Sequence, residues 1–290
     1  MLSMNFVNRF RASRWFINFL CKRDSRSINM KLSCLILTKN NGKTLEYALM
    51  SICKYVDEIV LLDSGSDDNT LDIARKYTDN IFFHEFDGNF GEQKNYGMSK
   101  CRGEWIFILD ADELVGENFH KCLKYLKSPY RSVALPRCHI IDIGKQRQLI
   151  TKTHYYDWQT RFIRNDKKAY YSGNPVHHAL KNYRRRIHCC EANIFHLDFL
   201  VNDYEKRKKK VEYYNRVANA GFPKMYLPEE YPYYTISMME LPEPMVLDKL
   251  KHDERFNKYP LNDNKFISAR ELCKWMVRKY ITRIRGCLAI

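Results

Sequence analysis

The chain has 290 residues, is 45% hydrophobic, and carries 49 Lys and Arg against 34 Asp and Glu, a net charge of +15. That is enough for one large domain or two small ones with a full core, and the basic balance suits an anionic partner such as nucleic acid, a phosphate-rich substrate or an acidic membrane surface. No run of about 18 apolar residues announces a spanning helix, and ten cysteines without Cys-x-x-Cys spacing read as reduced core thiols in a reducing compartment rather than as a disulfide scaffold or zinc module.

Residues 1–30 interleave Phe6, Phe10, Trp15, Phe16, Phe19 and Leu20 with Arg9, Arg11, Arg14, Lys22 and Arg23. This leader is either an amphipathic helix on anionic lipid or a disordered arm. Leu32 to Leu37 is a continuous apolar strand, followed by Thr38-Lys39-Asn40-Asn41-Gly42. Thr44 opens a helix with Leu45, Ala48, Leu49 and Ile52 on one face. A second strand, Glu58 to Leu62, runs into Asp63-Ser64-Gly65-Ser66-Asp67-Asp68-Asn69-Thr70, a stretch of turn and N-cap residues. A helix from Leu71 to Tyr77, a strand from Asn80 to Phe83, and a helix from the Gly88–Gly91 turn to Lys100 follow. Trp105 to Leu109 is the fourth strand. Such β-α alternation predicts a parallel sheet covered on both faces, with ligands received beyond the carboxyl ends of the strands.

Three carboxylates stand at the end of that fourth strand: Asp110, Asp112 and Glu113. Asp110 and Asp112 are two apart and lean to one side of extended backbone. They repel unless a cation or donor-rich ligand lies between them, and hard oxygen ligands suit Mg²⁺ or Mn²⁺ completed by phosphates. The competing reading is that Asp110 and Glu113 cap a following helix. A nucleotide fits this end of the sheet, with Asp63 at base or ribose, Asp110 at ribose, and Asp112 on a metal holding the pyrophosphate.

Farther on, Phe119 to Leu126 reads as a helix and Ser132 to Cys138 as a strand, with Pro136 marking an irregularity or an edge. Alternation places Arg161 and Ile163 on one face and Phe162 and Arg164 on the other. Asp203 opens a helix bearing Lys206, Arg207, Lys208, Lys209 and Lys210. No nucleic-acid motif accompanies this run, so it reads as a solvated face. Residues 223–264 either pack back on the domain or form a lid. Phe266 to Leu288 is a second basic amphipathic stretch, either packed on the domain or lying on an anionic membrane surface.

Thr38-Lys39-Asn40, Val60 through Thr70, and Gly103 through Glu113 resemble family 2 glycosyltransferases of the GT-A fold in order, strand context and spacing. The resemblance covers about residues 31–200. Gly91, Gln93, Asn95 and Gly97, then Asp157-Trp158-Gln159-Thr160-Arg161-Phe162 and Val176-His177-His178, are similar to the branch that adds sugars to lipopolysaccharide core or related glycans. The resemblance implies an α/β, Rossmann-like, mostly parallel sheet flanked by helices. It implies a nucleotide-sugar half at 31–113 and an acceptor half at 114–200, between the basic amphipathic or disordered leader at 1–30 and a basic helical extension at 201–290 that the residues themselves suggest. It also implies a nucleotide-sugar donor, by default a UDP-sugar, held by Thr38, Asn40, Asp63, Gln93, Lys94, Asp110, Ala111 and Arg161. Mn²⁺ or Mg²⁺ would be bound by Asp112, with His196 as a late second ligand. The sugar would pass with inversion to a hydroxyl of a glycan or lipid-linked acceptor, in the cytoplasm or at the inner face of a membrane.

Inverting transfer needs one base for the acceptor hydroxyl. Candidates are Asp142, Asp157, Asp166, His177 and His178. The related branch has Val-His-Glu where this chain has Val176-His177-His178, and His178 at that acidic position titrates near neutrality. Asp157 is the other catalytic candidate, next to Trp158 as a platform for a sugar ring. Two further readings compete. A nucleotidyltransferase wants a Gly-rich phosphate loop where this chain has Thr38–Gly42. A non-catalytic membrane- or nucleic-acid-binding protein on a decayed transferase core is opposed by intact Asp63, Asp110 and Asp112 and favoured by the missing Glu at 178.

Overall fold

The computed structural model describes residues 31–151, 157–173, 178–183, 185–218, 226–230, 233–256, 267–268, 270–272 and 274. The leader, His177, and most of the Phe266–Leu288 stretch lie outside the described residues.

The first half forms as its periodicity predicts. Strand β1 (Leu32–Thr38) is followed by helix α1 (Leu45–Ile52), β2 (Glu58–Asp63), α2 (Thr70–Ala74), β3 (Ile81–Phe83), α3 (Phe90–Lys100) and β4 (Trp105–Asp110). Their strands pair in parallel in the order β3-β2-β1-β4. Both faces of β1, β2 and β4 are covered, which is why these strands are nearly all apolar; buried Ser33 of β1 donates to buried Glu58 of β2. Cys34, Ile36, Leu61, Phe107 and Leu109 pack with α1 residues Leu45, Ala48, Leu49 and Ile52 on one side. Leu35, Val60, Leu62, Ile106 and Ile108 pack with Met98 on the other. Gly97 lets α3 approach this face, since a Cβ there would stand 2.6 Å from Leu35 Cδ1.

Beyond β4 the sheet changes character. After β5 (Glu113–Val115) come β6 (Ser132–Asp142), β7 (Arg147–Thr151), β8 (Asp157–Arg164), the hairpin β9 (Tyr170–Gly173) and β10 (His178–Lys181), β11 (Arg186–His188) and β12 (Ile194–His196). The sheet continues past β4 as β8-β6-β7, antiparallel throughout, so the expected parallel arrangement holds for four strands and the complete sheet is mixed. Strand β6 is the hub. It pairs with β8 and β7, and also in parallel with β11 over Ser132–Ala134 and with β12 over Arg137–His139. Pro136 therefore does not mark an edge strand. It falls in the stretch between the β11 and β12 pairings, where the missing N–H interrupts neither.

Phe119–Lys127 is a 3-10 segment rather than an α-helix. Only Phe119 and Cys122 are buried there, and a contact every third residue suits the tighter turn. Phe119 meets Phe107 edge-on at 4.9 Å and stacks with Phe162 at 5.6 Å, tying it to the sheet.

After α4 (Asp198–Val201) and α5 (Tyr204–Ala218), the chain packs back on the domain. Strand β13 (Tyr233–Ser237) pairs antiparallel with β7, so the segment after residue 200 supplies a strand as well as helices. Helix α6 (Pro244–Lys251) buries Val246, Leu247 and Leu250 in a cluster with Tyr47 of α1. Tyr47 Oη donates to Asp253, and Tyr47 meets Phe256 edge-on at 5.2 Å. Glu240 accepts from the Asn118 N–H at 3.0 Å and from the Asn193 amide at 2.5 Å. Gly116 leaves room for that carboxylate, since a Cβ would come within 2.1 Å of it. Among the described residues no helix is long and apolar enough to cross a membrane.

Candidate functional site

Strands β1, β2 and β4 end side by side, with Thr38 in register with Asp63, and Leu37 with Asp110. The loops leaving β1 and β2 are joined by short polar bonds. Asn40 takes the left-handed backbone (φ 55°) that Asn tolerates, its N–H donates to Ser66 Oγ at 2.9 Å, and its side-chain oxygen accepts from the Asp67 N–H at 2.9 Å. Thr38 Oγ1 donates to Asn41 at 3.0 Å. Buried Asp63 accepts from the Gly65 and Ser66 N–H groups at 2.9 and 3.0 Å, which folds its own loop.

Helix α3 contributes three ties. Gln93 donates to Ser64 Oγ and to the His84 carbonyl, both at 3.0 Å, and meets His84 Nδ1 at 2.8 Å. Asn95 clamps the backbone of Tyr171, accepting from its N–H at 2.8 Å and donating to its carbonyl at 2.9 Å. Lys94 stands over the Tyr171 ring at 5.1 Å. Burial pushes its ammonium below the usual range, and nearby Asp110 offsets this only in part.

The acidic end of β4 does not cap a helix. Glu113 begins β5 and is fully buried, and its carboxylate turns back to accept from the Asp110 N–H at 3.2 Å. Arg161 on β8 joins Asp110, at 2.9 Å, to Glu113. Arg137 on β6 links Glu113, at 3.3 Å, to Asp157, at 2.8 Å. Burial alone would raise the Asp110 carboxyl, but Arg161 and then Lys94 outweigh it and hold the group well below the ordinary carboxylate range. Its side chain is still 36% exposed, so this network opens to solvent at Asp110.

Asp157 accepts from Arg137 and from Gln159, the latter at 2.7 Å, and lies 3.3 Å from His139 Nε2. The β6–β12 register places His139 beside His196, with their Nδ1 atoms 3.1 Å apart. His196 Nε2 is 3.2 Å from Asp112 Oδ2. Burial lowers the His196 pKa, Asp112 more than offsets this, and the net shift is upward; Asp112 is held below its ordinary value by the same contact against its own burial.

Asp112, His196 and Asp198 converge, with one potential ligand atom from each lying within 4.8 Å of the others. Asp198 Oδ1 is held by Asn202 at 2.8 Å and Lys210 at 3.3 Å, whereas Oδ2 is buried without a hydrogen-bond partner. An orphaned buried carboxylate oxygen beside a second carboxylate and an imidazole fits a divalent cation. The donor set suits Mn²⁺ or Mg²⁺ with remaining positions open to phosphate oxygens.

The structure thus brings Asp110, Asp112, Arg161, His196 and Asp157 into one connected cluster, with Ala111 buried between the two aspartates. Thr38, Asn40, Asp63 and Gln93 stand at the neighbouring strand ends. His178 pairs with Gly173 in the β9–β10 hairpin, whose Tyr171 is clamped by α3. Sequence reasoning missed Arg137, His139, Asp198 and Lys210. Asp198 lies two residues beyond His196, a spacing that was available as a signal. The basic run of α5 is also divided: Arg207 is fully buried against Glu229 and the Asn202 carbonyl, and Lys210 reaches Asp198, while Lys206, Lys208 and Lys209 face solvent.

Relatives include uncharacterized glycosyltransferases of Rickettsia conorii, 30% identical over 102 residues (35% of this chain, 36% of that one), and Mycoplasma genitalium, 35% identical over 98 residues (29% and 33%). The matches span about a third of the length of these relatives. Among solved structures, Staphylococcus aureus TarS is 18% identical with a TM-score of 0.43, covering 69% of this chain and 42% of that one. Glucosyl-3-phosphoglycerate synthase of Mycobacterium tuberculosis, solved with Mn²⁺ and UDP-glucose, is 18% identical with a TM-score of 0.33, covering 43% and 48%. The family model for glycosyl transferase family 2 matches residues 33–190, more than half of the chain and all of the strand ends described above. With the acidic end of β4 and its arginine and histidine partners inside or beside that match, this chain belongs to glycosyl transferase family 2.

Proposed function

We propose that the protein is an inverting, metal-dependent glycosyltransferase that moves a sugar from a nucleotide-sugar, a UDP-sugar by the family resemblance, to a hydroxyl of a glycan or lipid-linked acceptor. The observation that carries this reading is the convergence of Asp112, His196 and Asp198 around an unpartnered Asp198 oxygen, beside Asp110 at the mouth of the sheet. The β1 and β2 loops, with Thr38, Asn40 and Asp63, receive the nucleoside. Gln93, whose polar atoms are committed to Ser64 and His84, shapes that pocket from behind. Asp110, kept anionic by Arg161, accepts from sugar hydroxyls, and Lys94 faces the diphosphate. Asp112, His196 and Asp198 would hold Mn²⁺ or Mg²⁺, which supplies positive charge against the departing diphosphate.

The base takes the acceptor proton as the new glycosidic bond forms. We assign this to His178. Asp157 already accepts from Arg137 and Gln159 and lies beside His139, so its oxygens are committed within the network. The outward lysines of α5 offer a cationic surface to an anionic membrane, where a lipid-linked acceptor would lie.

Thermal unfolding with UDP-, GDP-, TDP- and CMP-sugars, with and without Mn²⁺, tests the reading. A donor at about a hundred times its Kd stabilises the fold by about 2.7 kcal/mol. A metal-dependent rise in Tm with one nucleotide class is expected. No rise with any donor, from folded protein, overturns it.

A further inference from the structure

His139 has no part in the chemistry assigned above, yet it is 1% exposed at the centre of the buried polar network. One ring nitrogen faces His196 and the other faces Asp157. Its ring meets those of His196 and Phe199 at 5.1 and 5.7 Å, both near 70°, which fixes its plane.

The polarity of these contacts follows from what each group can do. An ionised carboxylate only accepts, so the proton between His139 and Asp157 stands on His139 Nε2. Neutral His139 then presents a lone pair at Nδ1. Its neighbour 3.1 Å away must donate, so His196 carries a proton on Nδ1. Asp112 is a carboxylate too, so without a cation a proton on His196 Nε2 faces it. A cation held there would take the place of that proton, and the ring would keep only its Nδ1–H, donated to His139, with a lone pair at Nε2. That is the form a metal-ligating imidazole requires. Asp157 and His139 therefore set, through two hydrogen bonds, which nitrogen of His196 points its lone pair into the Asp112–His196–Asp198 cluster.

We infer that His139 is a positioning residue that relays the polarity of Asp157 to His196 and holds His196 as an Nε2 ligand for a divalent cation. This rests on the metal-site reading above. It adds a role for Asp157 distinct from that of a base, and it explains why β6 carries a buried histidine in register with β12.

The test is Mn²⁺ affinity of the full chain, read by loss of the free-ion electron paramagnetic resonance signal, for the wild type, His139→Gln and His139→Phe. The Gln amide can accept from His196 and donate to Asp157, so His139→Gln should keep the affinity within a few-fold. His139→Phe can do neither and should weaken it by about 10–100-fold, the usual cost of removing such a partner. Equal Mn²⁺ affinity in wild type and folded His139→Phe, or a loss in His139→Gln as large as in His139→Phe, overturns the relay. Nitrogen-15 histidine spectra of the Mg²⁺-loaded wild type decide the matter without any variant. His139 should be protonated at Nε2 and His196 at Nδ1, and the opposite assignment at either ring overturns the proposal. Absence of Mn²⁺ binding by the wild type would instead remove the metal-site reading beneath it.

Discussion

The two halves of this sheet organise their polar residues in opposite ways. Around β1 and β2 the ties run from side chain to backbone, between the two neighbouring loops as between Asn40 and Asp67, or within one of them as between Asp63 and Ser66. Around β6, β8 and β12 they run from side chain to side chain among buried charges, from Asp110 through Arg161, Glu113 and Arg137 to Asp157. The first kind shapes a pocket and is replaceable one bond at a time. The second holds charges that have left water, so each member depends on the others.

Removing one charge should separate the two kinds most sharply. Asp112→Asn should cut transfer at least about a hundredfold, on the scale of losing one preorganised electrostatic contact, and should abolish Mn²⁺ binding. Steady-state kinetics with a metal titration checks both, and unchanged transfer removes Asp112 from the site. Next, Arg161→Met leaves buried Glu113 with Arg137 as its remaining cationic partner in this network and should cost about 3–5 kcal/mol in urea unfolding. A cost below 1 kcal/mol would mean that the buried network is not cooperative. Gly97→Ala, which presses on Leu35 between α3 and β1, should cost about 1–3 kcal/mol by overpacking. Asn40→Ala, at a left-handed residue in the loop half, should cost about 1 kcal/mol while raising KM for the donor more than it lowers kcat.

The smallest effect is a pH dependence. Burial raises the Glu240 carboxyl to about 7, although the donors from Asn118 and Asn193 oppose the shift. The folded state therefore holds a proton that the unfolded state has released between the ordinary glutamate pKa and about 7. Stability contributed by this group is present below that window and falls as pH rises through it. Glu240→Gln should flatten this part of the stability profile. An identical slope in the variant would assign it to other groups.

The same contrast explains what could be read from the chain alone. Continuous apolar strands alternating with amphipathic helices made β1 to β4 legible, and the acidic residues at their ends stood out as candidate site residues because sheets of this kind expose their strand ends. Asp112 and His196 do come together, at 3.2 Å. The partners of the second network were not legible. Arg137 and His139 sit at alternate positions of β6 and meet Asp157 and His196 only through pairings with β8 and β12, and no local pattern encodes a register between distant strands. The basic run of α5 was read as one solvated face because its charges are contiguous. Helical geometry instead turns Arg207 and Lys210, three apart, inward and leaves the others outside.

Strand β13 has a consequence for how the protein is made. It pairs with β7 from Tyr233–Thr151 to Ser237–Arg147, so the final neighbour of β7 is translated long after β7 itself. Until that segment has left the ribosome, one side of β7 is an unpaired row of N–H and C=O groups, a template for strands of other nascent copies. Chains that terminate before Tyr233 keep that template open permanently. The yield of soluble protein from an expressing cell should therefore depend on a C-terminal segment that supplies none of Asp112, His196 or Asp198.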